Sequence, residues 1–381
     1  MRKLLVIGID AAIADPSSRG AERQRGYFAG WDVDIVVLAS GERLTRELSP
    51  GLRVHVTGGA NKMVALWRGF FLTRSLTRQH KPELISTQDP LWTGMIAYWN
   101  SRWSRVPYAV QLHGDFLDNP LWINQRPSFR LLNVVGKWIV QRADGVRCVS
   151  SRIQRYVTET LHVLKERTCM IPIYTELQLF SPEGERHTDR KYVLFVGRLI
   201  EEKSPFDFCE VVIPLMQSSP EVTAVFVGEG NLKETLRARF RDVGLEDRVI
   251  FTGFLSAPEM AVWYRSARCY VHTAHWEGWG MPMIESLACG CPVVTTDTGC
   301  AGDAVRDDID GFVLPIGDIE GMRARVQQLL PDSPVYERLS RVAVLEASHW
   351  DAAIHVKDQA NWYEHIITTY TRNRSRRTSR D

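Results

Sequence analysis

Short apolar runs rich in β-branched residues recur through the first half of the chain, at Leu4–Ile9, Val33–Leu38, Leu52–Thr57, Glu83–Thr87, Tyr108–Leu112, Gly145–Ser150 and Cys169–Ile173. The segments between them are long enough for helices. This alternation predicts an α/β architecture, a parallel sheet with helices on both faces. The pattern resumes with Tyr192–Val196, Thr223–Val227, Arg248–Leu255, Cys269–Ala274, Pro292–Asp297 and Gly311–Leu314, and turns helical beyond Pro331. Polar Glu183–Arg190 lies between the two series and reads as a linker. A length of 381 residues also favours two domains over one. In such sheets ligands sit beyond the carboxyl ends of strands, so the residues directly after each run are the candidates for chemistry.

Composition changes this picture little, with 44% hydrophobic and 24% charged residues. Seven cysteines, an odd number in apolar surroundings, argue against a paired disulfide framework and for buried thiols in a reducing compartment. Cys289-Gly-Cys291 is too tight for a zinc pair and has no second pair. Met1-Arg-Lys precedes an apolar run too short for a signal peptide, and it reads as the first buried strand. No stretch approaches the roughly 20 apolar residues of a spanning helix. A soluble or peripheral cytoplasmic protein is expected.

The net charge of +2 is unevenly spread. Residues 1–184 hold 24 Lys and Arg against 16 Asp and Glu, a balance of +8, whereas the remainder holds 23 against 29, or −6. Two domains with different surfaces fit this asymmetry.

The densest chemistry lies in residues 276–292, WEGWGMPMIESLACGCP. A strand ends, a glycine-bearing turn follows, and a helix opens at Met281 with Pro282 suited to its first turn. The unpartnered N–H groups and macrodipole of such a helix favour an anion. Glu277 falls in the loop and Glu285 in the early helix, where side chains lean back toward the N-terminus, so both carboxylates can address one site. Acids near a helix start also serve merely to complement the dipole, and the residues alone leave that alternative open.

The segment from Glu277 to Glu285, with Gly278, Gly280, Met281 and Pro282 between, resembles the E-x(7)-E signature of retaining glycosyltransferase family 4. That resemblance implies a GT-B architecture, two Rossmann-like domains facing a central cleft. Further segments are similar to the family: Gly197-Arg198 with Lys203 after a buried strand, His113-Gly114 after Tyr108–Leu112, and Gly20-Ala-Glu-Arg at the first helix start, where Arg19 replaces a glycine. By resemblance, Arg198 and Lys203 hold a donor diphosphate, Glu277 contacts the transferred sugar, Glu285 the ribose, and His113 lies beside sugar and acceptor. Gly20, Gly197, Gly228, Phe254, Gly278, Gly280, Met281 and Pro282 complete the donor-binding set. Neither a metal nor a cofactor is implied, and Asp32-Val-Asp34 reads as the opening of a strand rather than a metal-binding pair. Ile173-Tyr174 stands where the family carries Asn-Gly.

The implied domains are an acceptor-side unit over 1–182, a nucleotide-sugar unit over 183–351, a helix at about 352–371 packing back on the first, and a basic tail over 372–381. The implied activity is transfer of a hexose-type sugar from a nucleoside diphosphate to a glycan or lipid-linked hydroxyl, in cell-envelope or exopolysaccharide synthesis, with no nucleic-acid partner. A sugar-nucleotide hydrolase or epimerase, or a non-catalytic sugar-nucleotide-binding protein, is the alternative. Residues 53–82 and 120–143 contain no acid but mix cations with Trp67, Phe70, Phe71, Trp122 and Trp138. Such helices either meet an anionic membrane surface or pack one face on the sheet and solvate the other.

Overall fold

The computed structural model describes residues 1–173, 175–188 and 190–378, so Tyr174 and the last three residues of the basic tail lie outside the described residues. The chain divides into two compact units, Met1–Pro172 with Val356 onward, and Ile173–His355.

The first unit holds β1 (Arg2–Gly8), β2 (Trp31–Val37), β3 (Leu44–Ser49), β4 (Leu52–Val56), β5 (Leu84–Thr87), β6 (Tyr108–Leu112), β7 (Gly145–Cys148) and β8 (Thr168–Met170). They form one sheet in the order β3-β4-β2-β1-β5-β6-β7-β8. Every pairing is parallel except β3 with β4. β3 is absent from the sequence expectation for a physical reason. Its LTRELS run is a polar edge with only one buried side chain, so no apolar run marks it.

The helices between these strands are α1 (Arg19–Tyr27), α2 (Lys62–His80), α3 (Trp92–Ser104), α4 (Pro120–Ile123), α5 (Pro127–Arg142) and α6 (Ser151–Arg155). Asn61 caps α2 by accepting the Val64 N–H, and Pro127 opens α5 where its missing N–H costs nothing.

In the second unit β9 (Lys191–Val196), β10 (Val222–Val227), β11 (Val249–Gly253), β12 (Ala267–His272), β13 (Val293–Thr296) and β14 (Gly311–Leu314) form a wholly parallel sheet in the order β11-β10-β9-β12-β13-β14. Its helices are α7 (Pro205–Ser218), α8 (Lys233–Asp242), α9 (Ala257–Ser266), α10 (Met281–Ala288), α11 (Ile319–Leu329) and α12 (Pro334–Ala347). Phe195, Phe208, Phe226 and Phe240 anchor a core that continues into Phe312 and Leu339. Each such ring contributes roughly 2–3 kcal/mol by leaving water.

A last helix, α13 (Ala352–Thr378), starts in the second unit and lies from Val356 onward in the first. There the Tyr363 hydroxyl shares a 2.9 Å hydrogen bond with Ser86 on β5. A Cβ on Gly145 of β7 would stand 2.3 Å from Ile366 Cδ1, so glycine lets this helix lie close to the sheet. All seven cysteines are unpaired, and burial pushes the Cys289 and Cys291 thiols up to about 12. Among the described residues no helix is long and apolar enough to cross a membrane.

Candidate active site

The strand order of the second unit sets β9 between β10 and β12, so the segments leaving β9 and β12 emerge side by side. This is the point of strand-order reversal where open α/β sheets take ligands. Gly197 follows β9, and Gly228 follows β10 at φ 131°. A Cβ on Gly228 would lie 2.1 Å from the Gly197 carbonyl oxygen, so the two turns close on each other backbone to backbone. The Leu199 N–H seals them by donating to the Glu229 carbonyl at 2.9 Å.

Beyond Gly197 the two cations diverge. Arg198 is exposed and pairs with Glu202 at 2.8 Å. Lys203 ends a single 3-10 turn, and its Nζ donates to Glu277 Oε2 at 2.6 Å. Thr273, just past β12, donates from Oγ1 to the Ser204 carbonyl at 2.8 Å and so ties the loop bearing Glu277 to the turn bearing Lys203. The other Glu277 oxygen accepts the Gly278 N–H at 2.9 Å. Burial opposes the charge on Glu277, but Lys203 and the Gly278 N–H outweigh it and hold the carboxyl below its ordinary range.

Gly280 takes φ 91° and precedes α10, whose first turn receives no side-chain cap. A Cβ on Gly280 would meet Met283 Cε at 2.3 Å and Glu277 Cγ at 3.3 Å. Glycine is therefore required both for the left-handed backbone and for space beside Glu277. Met281 and Pro282 form the uncapped first turn, where backbone N–H groups and the macrodipole concentrate positive potential. Glu285, half-buried on α10, accepts from the Tyr264 hydroxyl at 3.2 Å. The buried Tyr270 phenol is pushed up by burial first and then by Glu277 and Glu285, so both carboxylates act on the same ring.

His272, at the end of β12, received no attention from sequence reasoning. It is 4% exposed, and its Nε2 has no hydrogen-bond partner among the described residues and stands 4.0 Å from Glu277 Oε2. The Tyr270 hydroxyl lies 3.1 Å from the Val196 carbonyl oxygen and 2.9 Å from His272 Nδ1, and so holds the imidazole from the side opposite Glu277. Burial above all draws His272 down to about 4, which keeps it neutral. The available signal was position alone, a histidine at a strand's carboxyl end five residues before Glu277.

Phe254 sits just past β11 with 79% of its surface exposed. His113 and Gly20 belong to the first unit. His113 follows β6 and is half-buried; burial, then the charge of Arg147, draw it down to about 3. Arg147 itself is held by Gln111 at 2.7 Å and the Ile171 carbonyl at 3.0 Å. Gly20 lies in the first turn of α1, which Ser18 caps by accepting the Ala21 N–H at 3.1 Å. Asp32 and Asp34 both lie within β2 and converge on Arg53, at 2.5 and 2.8 Å. His55 and His80 complete the shell around Asp34. Among the described residues no group of three or more His, Cys, Asp or Glu is disposed to hold a metal.

Residues 26–173 match the family described as Glycosyl transferase 4-like domain, and residues 178–344 match Glycosyl transferases group 1. The chain is a GT-B glycosyltransferase of the family 4 type. Solved structures share its fold over nearly its whole length. Sucrose-phosphate synthase from Thermosynechococcus elongatus superposes with a TM-score of 0.81 at 20% identity, covering 97% of this chain and 100% of that one. Anabaena HepE in complex with UDP-glucose gives 0.73 at 19% identity, covering 96% and 100%. By sequence the glycosyltransferase is 26% identical over 362 residues to 2-deoxystreptamine N-acetyl-D-glucosaminyltransferase of Streptomyces fradiae, which spans 90% of this chain and 83% of the relative. It is 22% identical over 308 residues to alpha-monoglucosyldiacylglycerol synthase of Streptococcus pneumoniae, spanning 76% and 69%.

Proposed function

We propose that this glycosyltransferase moves a hexose-type sugar from a nucleoside diphosphate to an acceptor hydroxyl on a glycan or lipid-linked molecule, with retention at the anomeric carbon, in cell-envelope or exopolysaccharide synthesis. The observation that carries the reading is the Lys203–Glu277 pair beside the uncapped start of α10, a cation, an anion and a helix N-terminus at one strand-order reversal. Solved neighbours holding UDP and UDP-glucose support a nucleotide-sugar donor. The spacing of Glu277 and Glu285 supports the E-x(7)-E assignment.

In this reading the donor diphosphate draws Lys203 away from Glu277, and Arg198, itself exposed, joins it by leaving its partner Glu202. Both exchanges trade one charge-assisted hydrogen bond for another, so binding loses little in breaking the resting pairs. Glu277 then accepts from hydroxyls of the transferred sugar and Glu285 from the ribose. The C1–O bond to the diphosphate breaks with its electron pair remaining on the phosphate. The acceptor oxygen bonds C1 on the same face, and its proton passes to the departing phosphate oxygen. Lys203, Arg198 and the α10 N-terminus stabilise the charge that develops there. His113, neutral at working pH, offers a hydrogen bond to sugar or acceptor without adding charge. Gly197, Gly228, Gly278 and Gly280 let backbone approach the donor, and Met281, Pro282, Phe254 and Gly20 complete the donor-binding set. No metal or cofactor has a part in this scheme.

The test is a thermal-shift screen of UDP-, GDP- and ADP-hexoses, followed by NMR of the product formed with glycan and lipid-linked acceptors. The reading expects one donor class to stabilise the chain and the product anomer to match the donor. An inverted product sinks retention, and donor turnover without any acceptor points to a hydrolase.

A further inference from the structure

The outward faces of three neighbouring helices in the first unit carry aromatic and aliphatic side chains where a surface helix is ordinarily polar. α2 and α3 pack together, as do α3 and α5, and their buried residues are small, polar or aliphatic but not aromatic: Ala65, Gly69, Thr73 and Leu76; Thr93, Gly94, Ile96 and Ala97; Asn133, Gly136, Ile139 and Val140. Outward, at helical spacing, stand Trp67 and Phe71 on α2, Trp99 and Trp103 on α3, and Leu131, Val134 and Trp138 on α5. Trp67 is 65% exposed, Trp103 53% and Leu131 69%. The rings join across helix boundaries into one belt. Phe70 meets Trp103 edge-on at 5.6 Å, linking α2 to α3, and Tyr98 meets Trp138 at 4.6 Å, linking α3 to α5.

The charge around this belt has one sign. α2, α3 and α5 carry eight Lys and Arg and not one Asp or Glu. Among the described residues only Lys137 of these eight has a carboxylate partner, Asp118 at 2.8 Å. Two guanidinium groups lie on the belt itself, Arg74 over Trp103 at 4.5 Å and Arg142 over Trp138 at 4.2 Å. Beside it opens a cavity of about 360 Å³ that sets Arg43 and Arg68 against Trp67 and Phe71.

We infer that this belt is a membrane-docking face that seats the enzyme on an anionic lipid surface, its rings at headgroup depth and its arginines on lipid phosphates. Tryptophan and tyrosine favour that depth because they present an apolar body and a polar edge, and arginine can bury its stem while its charge stays in water. An acid-free cationic surface complements anionic headgroups. A contiguous aromatic patch of this size calls for a partner, and the uniform positive charge selects a negatively charged apolar one. The face lies wholly in the first unit and does not depend on the donor-site reading of the second.

The test is flotation of the full-length protein with vesicles of phosphatidylcholine alone or mixed with phosphatidylglycerol. Binding is expected only with phosphatidylglycerol at low ionic strength, with release as salt rises. Tryptophan emission should shift to the blue and be quenched by brominated acyl chains. Trp67→Ser with Trp103→Ser, at exposed positions, should lower vesicle partition about tenfold or more while leaving the thermal midpoint and nucleotide-sugar stabilisation unchanged. Absence of flotation with anionic vesicles overturns the inference, as does flotation without quenching or a variant that floats like wild type. Lipid-free self-association abolished by the same variant overturns it too, because the belt is then an interface between copies. If no nucleotide sugar stabilises the chain while flotation persists, only the donor-site reading fails.

Discussion

Lys203 Nζ stands 2.6 Å from Glu277 Oε2 across 74 residues of sequence, with side chains 14% and 19% exposed. Each charge is largely withdrawn from water and satisfied mainly by the other. Such a pair contributes little net stability compared with apolar residues, but removing one member strands the other.

Lys203→Met or Glu277→Gln alone is therefore expected to destabilise the second unit by about 1–3 kcal/mol. The double variant should recover part of that loss, since no uncompensated charge remains. Activity should not recover, and each single variant should lose about a hundredfold or more in kcat. Denaturation and kinetics in a double-mutant cycle decide; strictly additive stability losses would show the two side chains uncoupled.

His272 sets an acid limit. Its folded value of about 4 lies below the ordinary 6.5, so between these values the unfolded chain binds a proton that the folded chain does not. Stability from this group is full above about 6.5 and is lost as pH falls toward 4, by roughly 3 kcal/mol. His113, drawn down to about 3, acts in the same direction in the first unit. His272→Gln should flatten the acid-side slope of stability by about one proton. An NMR titration placing His272 near 6.5 in the native protein would falsify this assignment.

Two glycines should respond oppositely to the same methyl group. Gly228→Ala forces a Cβ onto the Gly197 carbonyl at φ 131°, and a loss of roughly 1–3 kcal/mol is expected. Gly20 has ordinary backbone, and a Cβ there would make only van der Waals contact, 3.4 Å from Ile13 Cγ1. Gly20→Ala should gain about 0.5–1 kcal/mol. A rise in donor KM on that stabilised background would locate Gly20 at the donor; an unchanged KM would leave it the ordinary start of a helix.

Asp34 gathers Arg53, His55 and His80 around one carboxylate in the first sheet. Burial opposes its charge, but these partners hold it well below the usual carboxylate range. Asp34→Ala should leave Arg53 half-compensated by Asp32 alone and cost about 3 kcal/mol. Urea denaturation followed in the first unit checks this, and a change under about 0.5 kcal/mol would mean the cluster is only solvated.

Much of the fold was legible because its signals are local. Among the described residues thirteen of fourteen strands coincide with apolar runs in the sequence, and α10 opens at Met281 behind Gly280 as its turn residues predict. Glycine and proline restrict φ wherever they stand, and buried parallel strands must be apolar on both faces. β3 escaped because a polar edge has neither constraint.

The contacts were not legible. Sequence marked Lys203 and Glu277 separately, and only the placement of β9 beside β12 joined them. The loop leaving β12 folds Glu277 back on His272, and the pairing of β2 with β4 in the first sheet gave Asp32 and Asp34 to Arg53. Amphipathic periodicity likewise identified α2 and α5 as surface helices, but not that Phe70 would reach Trp103 or Tyr98 reach Trp138. Periodicity records which side of an element meets the core. Which element lies beside it depends on strand order and helix packing, free energies summed over the whole chain, and those belong to the tertiary structure alone.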